Sequence, residues 1–469
     1  MKAFSCQYDI AVIGGGPAGL ATAITAAREG KKVLLADKNG FLGGNLTIGL
    51  PLLGFLDEHG NQCISGFAQE FVERLQARGA CYGIRPCPKH NSVTNVDAEA
   101  VKILAIEMCR EAGVQVLLHV EAIDATVEAG MVQTVTLYGK CNRITVSAEL
   151  FVDCTGDGDV ACLAGCSYET GRGEEQEMMP PTVMCTIENV NDQALLDYVA
   201  EHPDEMKPMS ATIETKPGYD AAYFKADPNY VFVGMTQLWS RLKEQGCCPV
   251  ERGNMIVING LHKGQMYVNT TRLLDVDGTN IFDLTRGEME GHLQLYKLID
   301  TFRKFVPGFE NCYISSIAPN IGIRETRRMK GLACVTLEQA LNGEIPENSI
   351  CLSGYTIDIH YNNEQGTLFK KLERPFGIPY GCLVSAELEN MMFAGRCISV
   401  DDHVVGSTRV MPCCMAMGQA AGLAAAMAVT EKLSPAKVDV VKLRSALMAQ
   451  GAILHMKKPL AKRSEEMAK

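Results

Sequence analysis

Arg324, Glu325, Arg327 and Arg328 stand within five residues of one another, after a glycine-containing turn. Arginine presents a planar fork of donors that matches a carboxylate in two-point contact. Such a cluster can clamp a carboxylate and draw charge from a conjugated double bond. The same residues can instead form a salt-bridge network between two parts of the chain, and the spacing leaves both readings open. His403 is a further residue suited to reaction chemistry, because imidazole exchanges protons near neutrality; as an isolated loop histidine it suits a structural hydrogen bond equally well. Tyr380 can donate to a carbonyl, although a partly buried structural tyrosine fits it better.

The elements that would position these groups begin at the N-terminus. An apolar run to Ile13 is followed by Gly14-Gly15-Gly16-Pro17-Ala18-Gly19, a helix of small residues to Gly30, and a second apolar run ending in Asp37. That order is the signature of a dinucleotide-binding βαβ unit. Gly14 makes the strand-to-helix turn, Gly16 lets backbone N–H groups approach a pyrophosphate, and Gly19 lets helix and sheet pack closely. Asp37, eighteen residues after Gly19, is placed for a ribose hydroxyl. After it, the loop with adjacent Gly43 and Gly44 suits backbone lying against a flat ligand.

Composition narrows the class. The 469 residues exceed a single ordinary core, and 47% of them are hydrophobic, which excludes a disordered chain. A formal charge of −11 argues against non-specific nucleic-acid binding and against an anionic membrane surface. The N-terminus lacks a signal-peptide pattern, so the nineteen cysteines are expected to be reduced and the protein cytoplasmic. No C-x-x-C occurs, so no zinc-ribbon, iron–sulfur or dithiol signature is present and no metal is expected. Val410–Val429 is free of charge, but its Ala, Met and Gly content points to a packed core helix rather than a membrane span.

Periodicity predicts a helix through Phe67, Phe71 and Leu75, another opened by Asp97 through Val101, Leu104 and Met108, and a strand over Val114–Val120. Val132–Leu137 and Ile144–Val146 read as a β-meander leading to a separate strand from Leu150, with its Gly turn at Gly156. Beyond Cys166 the strands Met255–Ile258 and Met266–Val268 alternate with helices, one of them opened by a capping-box spacing over Thr285–Glu288. The first pattern returns near Pro379, with a short strand before Gly395, then the charge-free helix. A modest helix through Leu443 and a frayed tail after Lys457 follow.

Three blocks carry a resemblance: residues 9–37 with Gly43-Gly44, residues 152–157, and Phe393-Ala394-Gly395-Arg396 with Gly418-Gln419-Ala420-Ala421-Gly422. Together they resemble the FAD-dependent oxidoreductases of the glutathione-reductase-like fold, in the group allied with fumarate reductase and succinate dehydrogenase flavoproteins. Gly322–Arg328 and Arg396–Arg409 resemble a sub-family described only as FAD-dependent oxidoreductase. The resemblance implies an α/β fold: a Rossmann-like FAD-binding domain over 1–165 and 379–432, an inserted mixed-sheet α+β substrate domain over 166–378, and a C-terminal helix and tail over 433–469.

It also implies a cofactor site. Gly14, Gly16, Pro17, Ala18 and Gly19 would hold the pyrophosphate, Asp37 and Lys38 the adenosine side, and the Val120 backbone the adenine edge. Gly43, Gly44 and Asn45, then Thr155, Gly156 and Asp157, then Gly395 and Arg396 would follow the cofactor toward the ribitol. Ser407 and Arg409 precede, and Gln419 lies within, the helix from Val410 whose N-terminus would face the flavin pyrimidine. Some relatives attach FAD to a histidine just past the Gly-Gly pair, where this chain has Asn45, Leu46 and Thr47, so non-covalent FAD is expected. No second nucleotide motif or redox cysteine pair is present, so the electron donor or acceptor is unassigned, as is any homo-oligomer. The implied activity is hydride transfer between flavin and a small polar substrate, with Arg324, Arg328 and His403 as catalytic candidates. A flavin monooxygenase and an electron-transfer subunit are the alternatives.

Overall fold

The computed structural model describes residues 2–362 and 366–456. The first sheet is built on β1 (Lys2–Ile13), which pairs in parallel with β2 (Val33–Ala36). β2 pairs in parallel with β3 (Gln115–Leu117), so the strand expected over Val114–Val120 is shorter at both ends. Ile10–Val12 and Val33–Ala36 are buried on both faces, as a parallel strand covered by helices requires. The meander follows as β4 (Glu121–Glu128), β5 (Met131–Gly139) and β6 (Asn142–Asp153). The two runs expected as separate strands are one 12-residue strand, β6, which pairs along its whole length with β1.

Around this sheet lie α1 (Pro17–Arg28), α2 (Phe67–Gln76) and α3 (Ala98–Ala112). Asp97 caps α3 by accepting from the N–H groups of Glu99 and Ala100, satisfying two donors that a helix start leaves unpaired. Gly113 ends it in the left-handed conformation.

The second sheet contains β7 (Cys185–Glu188), β8 (Val231–Gly234), β9 (Met255–Asn259), β10 (Met266–Val268) and β11 (Tyr313–Ile317), in the order β8-β9-β10-β7-β11. Every pairing in it is antiparallel, which corrects the expected mixed sheet. The long helix α4 (Ile281–Phe305) covers this sheet. It starts a turn before the expected capping box: Asn280 accepts from the Phe282 N–H, and Thr285, already inside the helix, donates to the Ile281 carbonyl.

The hairpin β12 (Ile357–His360) and β13 (Thr367–Lys370) comes next, and β14 (Met391–Phe393) then rejoins the first sheet beside the last residues of β6. Packing returns to the first core earlier than Pro379: Val335, Ile350, Leu352 and Phe376 share a cluster with α1 and α5 (Met411–Glu431). α5 is long and apolar enough to cross a membrane and is mostly buried inside the protein. A Cβ at Gly418 or Gly422 would come within 2.2 Å of the Ala18 carbonyl oxygen or 2.3 Å of that of Thr22, so α5 crosses α1 backbone to backbone. α6 (Val440–Ala449) follows, capped by Asp439. The tail after Lys457 lies outside the described residues.

Candidate functional site

A cavity of about 400 Å³ runs between the two sheets. One end is walled by backbone. Gly14, in the left-handed region at φ +105°, turns β1 into α1, and its Cβ position would fall 2.3 Å from the Cys154 carbonyl oxygen. Gly16 is the N-cap of α1 without any side-chain cap, and Pro17 occupies the first turn. A Cβ on Gly16 would meet nothing within 4 Å. The helix start therefore presents its N–H groups to the cavity across open space, which is the arrangement an anionic pyrophosphate fits.

Asp37, Lys38, Gly44 and Asn45 line the same end, with Thr155, Gly156, Asp157, Ala18, Gly395 and Arg396. Asp37 accepts from the Gly15 N–H at 2.6 Å and from the Asn39 N–H at 2.7 Å, so it braces the glycine loop as well as facing the cavity. Asp157 pairs with Arg396 at 2.5 Å and accepts from Thr326 at 2.8 Å, tying the turn after β6 to the segments that follow β14 and β11. The N-terminus of α5, again without a side-chain cap, contributes Val410 and Met411 to the wall, with Arg409 beside them. The buried Arg409 Nε has no partner among the described residues. Two uncapped helix starts and an open glycine loop along one cavity fit an extended dinucleotide.

Five expected cofactor residues do not line it. Gly19 is a packing position, where a Cβ would lie 1.7 Å from the Gly14 carbonyl oxygen. Gly43 donates to the Gly15 carbonyl from behind the loop. Val120 uses its N–H on the Asp37 carbonyl. Ser407 is fully buried and bonded to Ser353 and the Tyr355 carbonyl. Gln419 accepts from the Phe67 N–H and so joins α5 to α2.

The other end is walled by charged side chains. Lys89 and His90 stand on the turn of a short hairpin, Arg85–Cys87 with Asn91–Val93; Arg252 precedes β9, Arg324 follows β11, and Asp358 and His360 stand on β12. Asp358 Oδ2 accepts from Arg409 at 3.0 Å, and its Oδ1 lies 3.2 Å from His360 Nε2. Burial raises the Asp358 pKa, but His360, Arg409 and Arg324 outweigh it and hold the carboxyl well below its ordinary range. Burial, aided by Arg324, pulls His360 down to about 3 against the pull of Asp358. The imidazole is accordingly neutral beside an ionised Asp358. Its Nδ1 contacts the Thr367 hydroxyl at 3.3 Å, and that hydroxyl also faces the cavity.

Burial likewise lowers Lys89 to about 8 and Arg252 to about 9, and depresses Arg324 with help from the neighbouring charges of Arg409 and Arg252. Among the described residues, four cations thus meet a single carboxylate at this end, and Arg409 is already committed to it.

The expected arginine cluster divides. Arg324 faces the cavity and donates to the Pro180 carbonyl. Arg327 bonds Asp159 at 2.8 Å, and Arg328 is buried near Glu325 and Glu169, donating to the Gly171 carbonyl. Both belong to the salt-bridge network that was the other reading, so Arg328 is corrected from a catalytic to a structural residue. His403 is also corrected: it lies off the cavity, 2.5 Å from Asp402 and 3.5 Å from the Tyr361 hydroxyl. Tyr380 is buried and donates to the Pro435 carbonyl.

Lys89, Arg252, Asp358 and His360 were missed. The alternation Ile357-Asp358-Ile359-His360 was a usable signal, because residues two apart on a strand share a face. Lys89 and Arg252 offered none.

A family model described as FAD dependent oxidoreductase matches residues 9–447. A 41-residue stretch is 50% identical to a soluble pyridine nucleotide transhydrogenase of Chromohalobacter salexigens, covering 9% of each chain. A 48-residue stretch is 54% identical to an NADH oxidase of Thermoanaerobacter brockii, covering 10% of this chain and 7% of that one. The chain thus spans under a tenth of the length of these curated relatives. A solved structure of a geranylgeranyl bacteriochlorophyll reductase-like protein from Thermoplasma acidophilum aligns over 96% of this chain and 85% of its own, at 13% identity and a TM-score of 0.47. With the family match spanning nearly the whole chain, this protein belongs to the FAD dependent oxidoreductase family and is an enzyme that uses FAD.

Proposed function

We propose that the enzyme transfers a hydride between FAD and a small organic anion bearing a carboxylate, held at the charged end of the cavity. The observation that carries this reading is the imbalance there: Lys89, Arg252 and Arg324 face the cavity with Asp358 as the carboxylate among the described residues at that end. Buried cations without matching anions are costly, and an anionic substrate supplies what they lack. Bound FAD supplies the hydride acceptor or donor; the protein's part is to bind, orient and manage a proton.

Arg324 and Arg252 hold the carboxylate and Lys89 adds a further positive charge. With its Nε2–H directed to Asp358, His360 carries its basic site on Nδ1, next to Thr367, and these two residues form the route for a proton. An anion bound between Arg252 and Arg324 cancels charges that keep His360 neutral, and so moves its pKa upward toward the working range. Asp358 orients the ring and is itself held by Arg409.

On this reading the first sheet is of the glutathione-reductase type, allied with the fumarate reductase and succinate dehydrogenase flavoproteins. The strand order β3-β2-β1-β6-β14 with an antiparallel meander supports it. The second sheet then serves as the substrate domain, FAD is non-covalent, the electron partner is a separate molecule, and the site of action is the cytoplasm.

The test is anaerobic absorbance of the purified flavoprotein against a panel of carboxylates and their uncharged amides. Bleaching or reoxidation by a carboxylate but not by its amide is the expected outcome. Equal reaction with both, or oxygen consumption driven rapidly by NADPH, would refute it.

A further inference from the structure

The helix α4 is fixed on one side and bare on the other. Gly287, Gly291, Leu295, Leu298, Ile299 and Phe302 are buried against the second sheet, so the helix has no freedom to turn its outer face inward. On that outer face Phe282 is 81% exposed, Met289 66%, Leu293 64% and Tyr296 68%. Their spacing of seven, four and three residues is that of a single helical stripe, the pattern by which one helix packs on another.

We propose that this face joins two copies of the chain, with the two α4 helices antiparallel about a two-fold axis at Met289. Phe282 and Tyr296 are each seven residues from Met289, so the phenyl ring of one copy meets the phenol ring of the other at both ends of the contact. Charge selects the occupant and its direction. Asp283, Arg286, Glu290 and Lys297 lie along one flank of the stripe, and the antiparallel arrangement sets Asp283 opposite Lys297 and Arg286 beside Glu290. A parallel pairing would set this flank against the opposite one, which carries Thr285 and His292, and would forfeit both matches. Arg286 now contacts Asp283 at 3.0 Å and Glu290 at 3.8 Å within its own exposed helix, so these groups exchange partners at little cost.

The area is sufficient. Large side chains bury about 150–250 Å² each, so four that are two-thirds exposed remove about 1,100 Å² over two copies; the charged flanks bring the contact into the range of about 1,200–2,000 Å² seen for stable interfaces. Such a self-complementary patch is what a two-fold homodimer requires.

Sedimentation of the full-length holoenzyme at micromolar concentration should give twice the chain mass. Met289→Glu should give the single-chain mass with flavin absorbance and melting temperature retained. In a chain carrying Cys141→Ser, Cys247→Ser and Cys334→Ser at the exposed thiols, Met289→Cys should form, under mild oxidation, a crosslink of twice the chain mass that the same chain with Met289 does not form. A monomeric parent, as expected if the face serves a different protein, would overturn the proposal. So would a dimer indifferent to Met289→Glu, or a dimer in which Met289→Cys fails to crosslink. If the glutamate variant does not fold, the cysteine variant decides alone.

Discussion

At one end of the cavity the wall is largely backbone, centred on a βαβ unit and completed by the turns after β6 and β14, whereas at the other it is side chains brought together from four separate segments of chain. Gly14 and Gly16 make their surface by lacking side chains. Lys89, Arg252 and Arg324 make theirs by bringing positive charge into the cavity, beside the neutral His360 and ionised Asp358. The first end recognises a shape and a diffuse negative charge, and it tolerates little change in volume. The second recognises a charge pattern and is tuned by the ionisation of each group.

That contrast can be broken in order of expected effect. Gly19→Val is the most severe, since even a Cβ there would stand 1.7 Å from the Gly14 carbonyl oxygen. Overpacking of this kind costs about 1–3 kcal/mol and more where backbone cannot move, so the variant should be recovered flavin-free or unfolded. A yellow, fully folded variant would show that the α1–β1 contact is not what sets the backbone end.

At the charged end His360→Gln should leave flavin content unchanged and reduce kcat by roughly 10²–10⁴, the usual contribution of a general acid or base. The same variant sharpens the electrostatic argument through pH. A neutral buried His360 with a pKa of about 3 contributes stability that is present above its unfolded value and is lost as pH falls toward 3. His360→Gln should therefore soften the decline in melting temperature between about pH 6.5 and 3. A parallel decline in both proteins would mean that the imidazole is not buried neutral.

Arg324→Lys keeps the charge and loses the fork. Its kcat/KM should fall by about 2 kcal/mol, roughly thirtyfold, at an unchanged melting temperature. Arg328→Lys should do the reverse, lowering the melting temperature with turnover intact, because Arg328 sits in the Glu325 network. If the two variants behave alike, the division of the arginine cluster is wrong. An effect of similar size is expected on cofactor retention: Asp37→Ala should weaken FAD by roughly 1.5–3 kcal/mol, read by flavin fluorescence after dialysis. Part of that loss comes through the Gly15 contact that Asp37 makes at 2.6 Å.

The two ends were also unequally legible. The backbone end could be read because its parts are close in sequence and each glycine has a geometric reason; the alternating apolar and glycine pattern over residues 8–37 could hardly serve another fold. Gly19 has the packing task read from the sequence, although it was also counted with the groups that hold the pyrophosphate, while Gln419 joins α5 to α2 instead of lining the cavity. The charged end could not be read, because Lys89, on the turn of a separate hairpin, and Arg252, ahead of β9, reach the same cavity only through tertiary packing, and nothing local marks either one. His403 and Arg328 looked reactive by residue type, yet type says nothing about which side of a strand or loop faces the cavity.

The crossing of α1 and α5 at Gly418 and Gly422 has a metrical consequence. Backbone touching backbone leaves no side-chain rotamers with which to adjust the gap, so the two uncapped helix starts are a fixed distance apart. The pair acts as a ruler for the molecule laid between them. A cofactor laid along the cavity has to match that fixed separation, as much as the identity of any group that touches it.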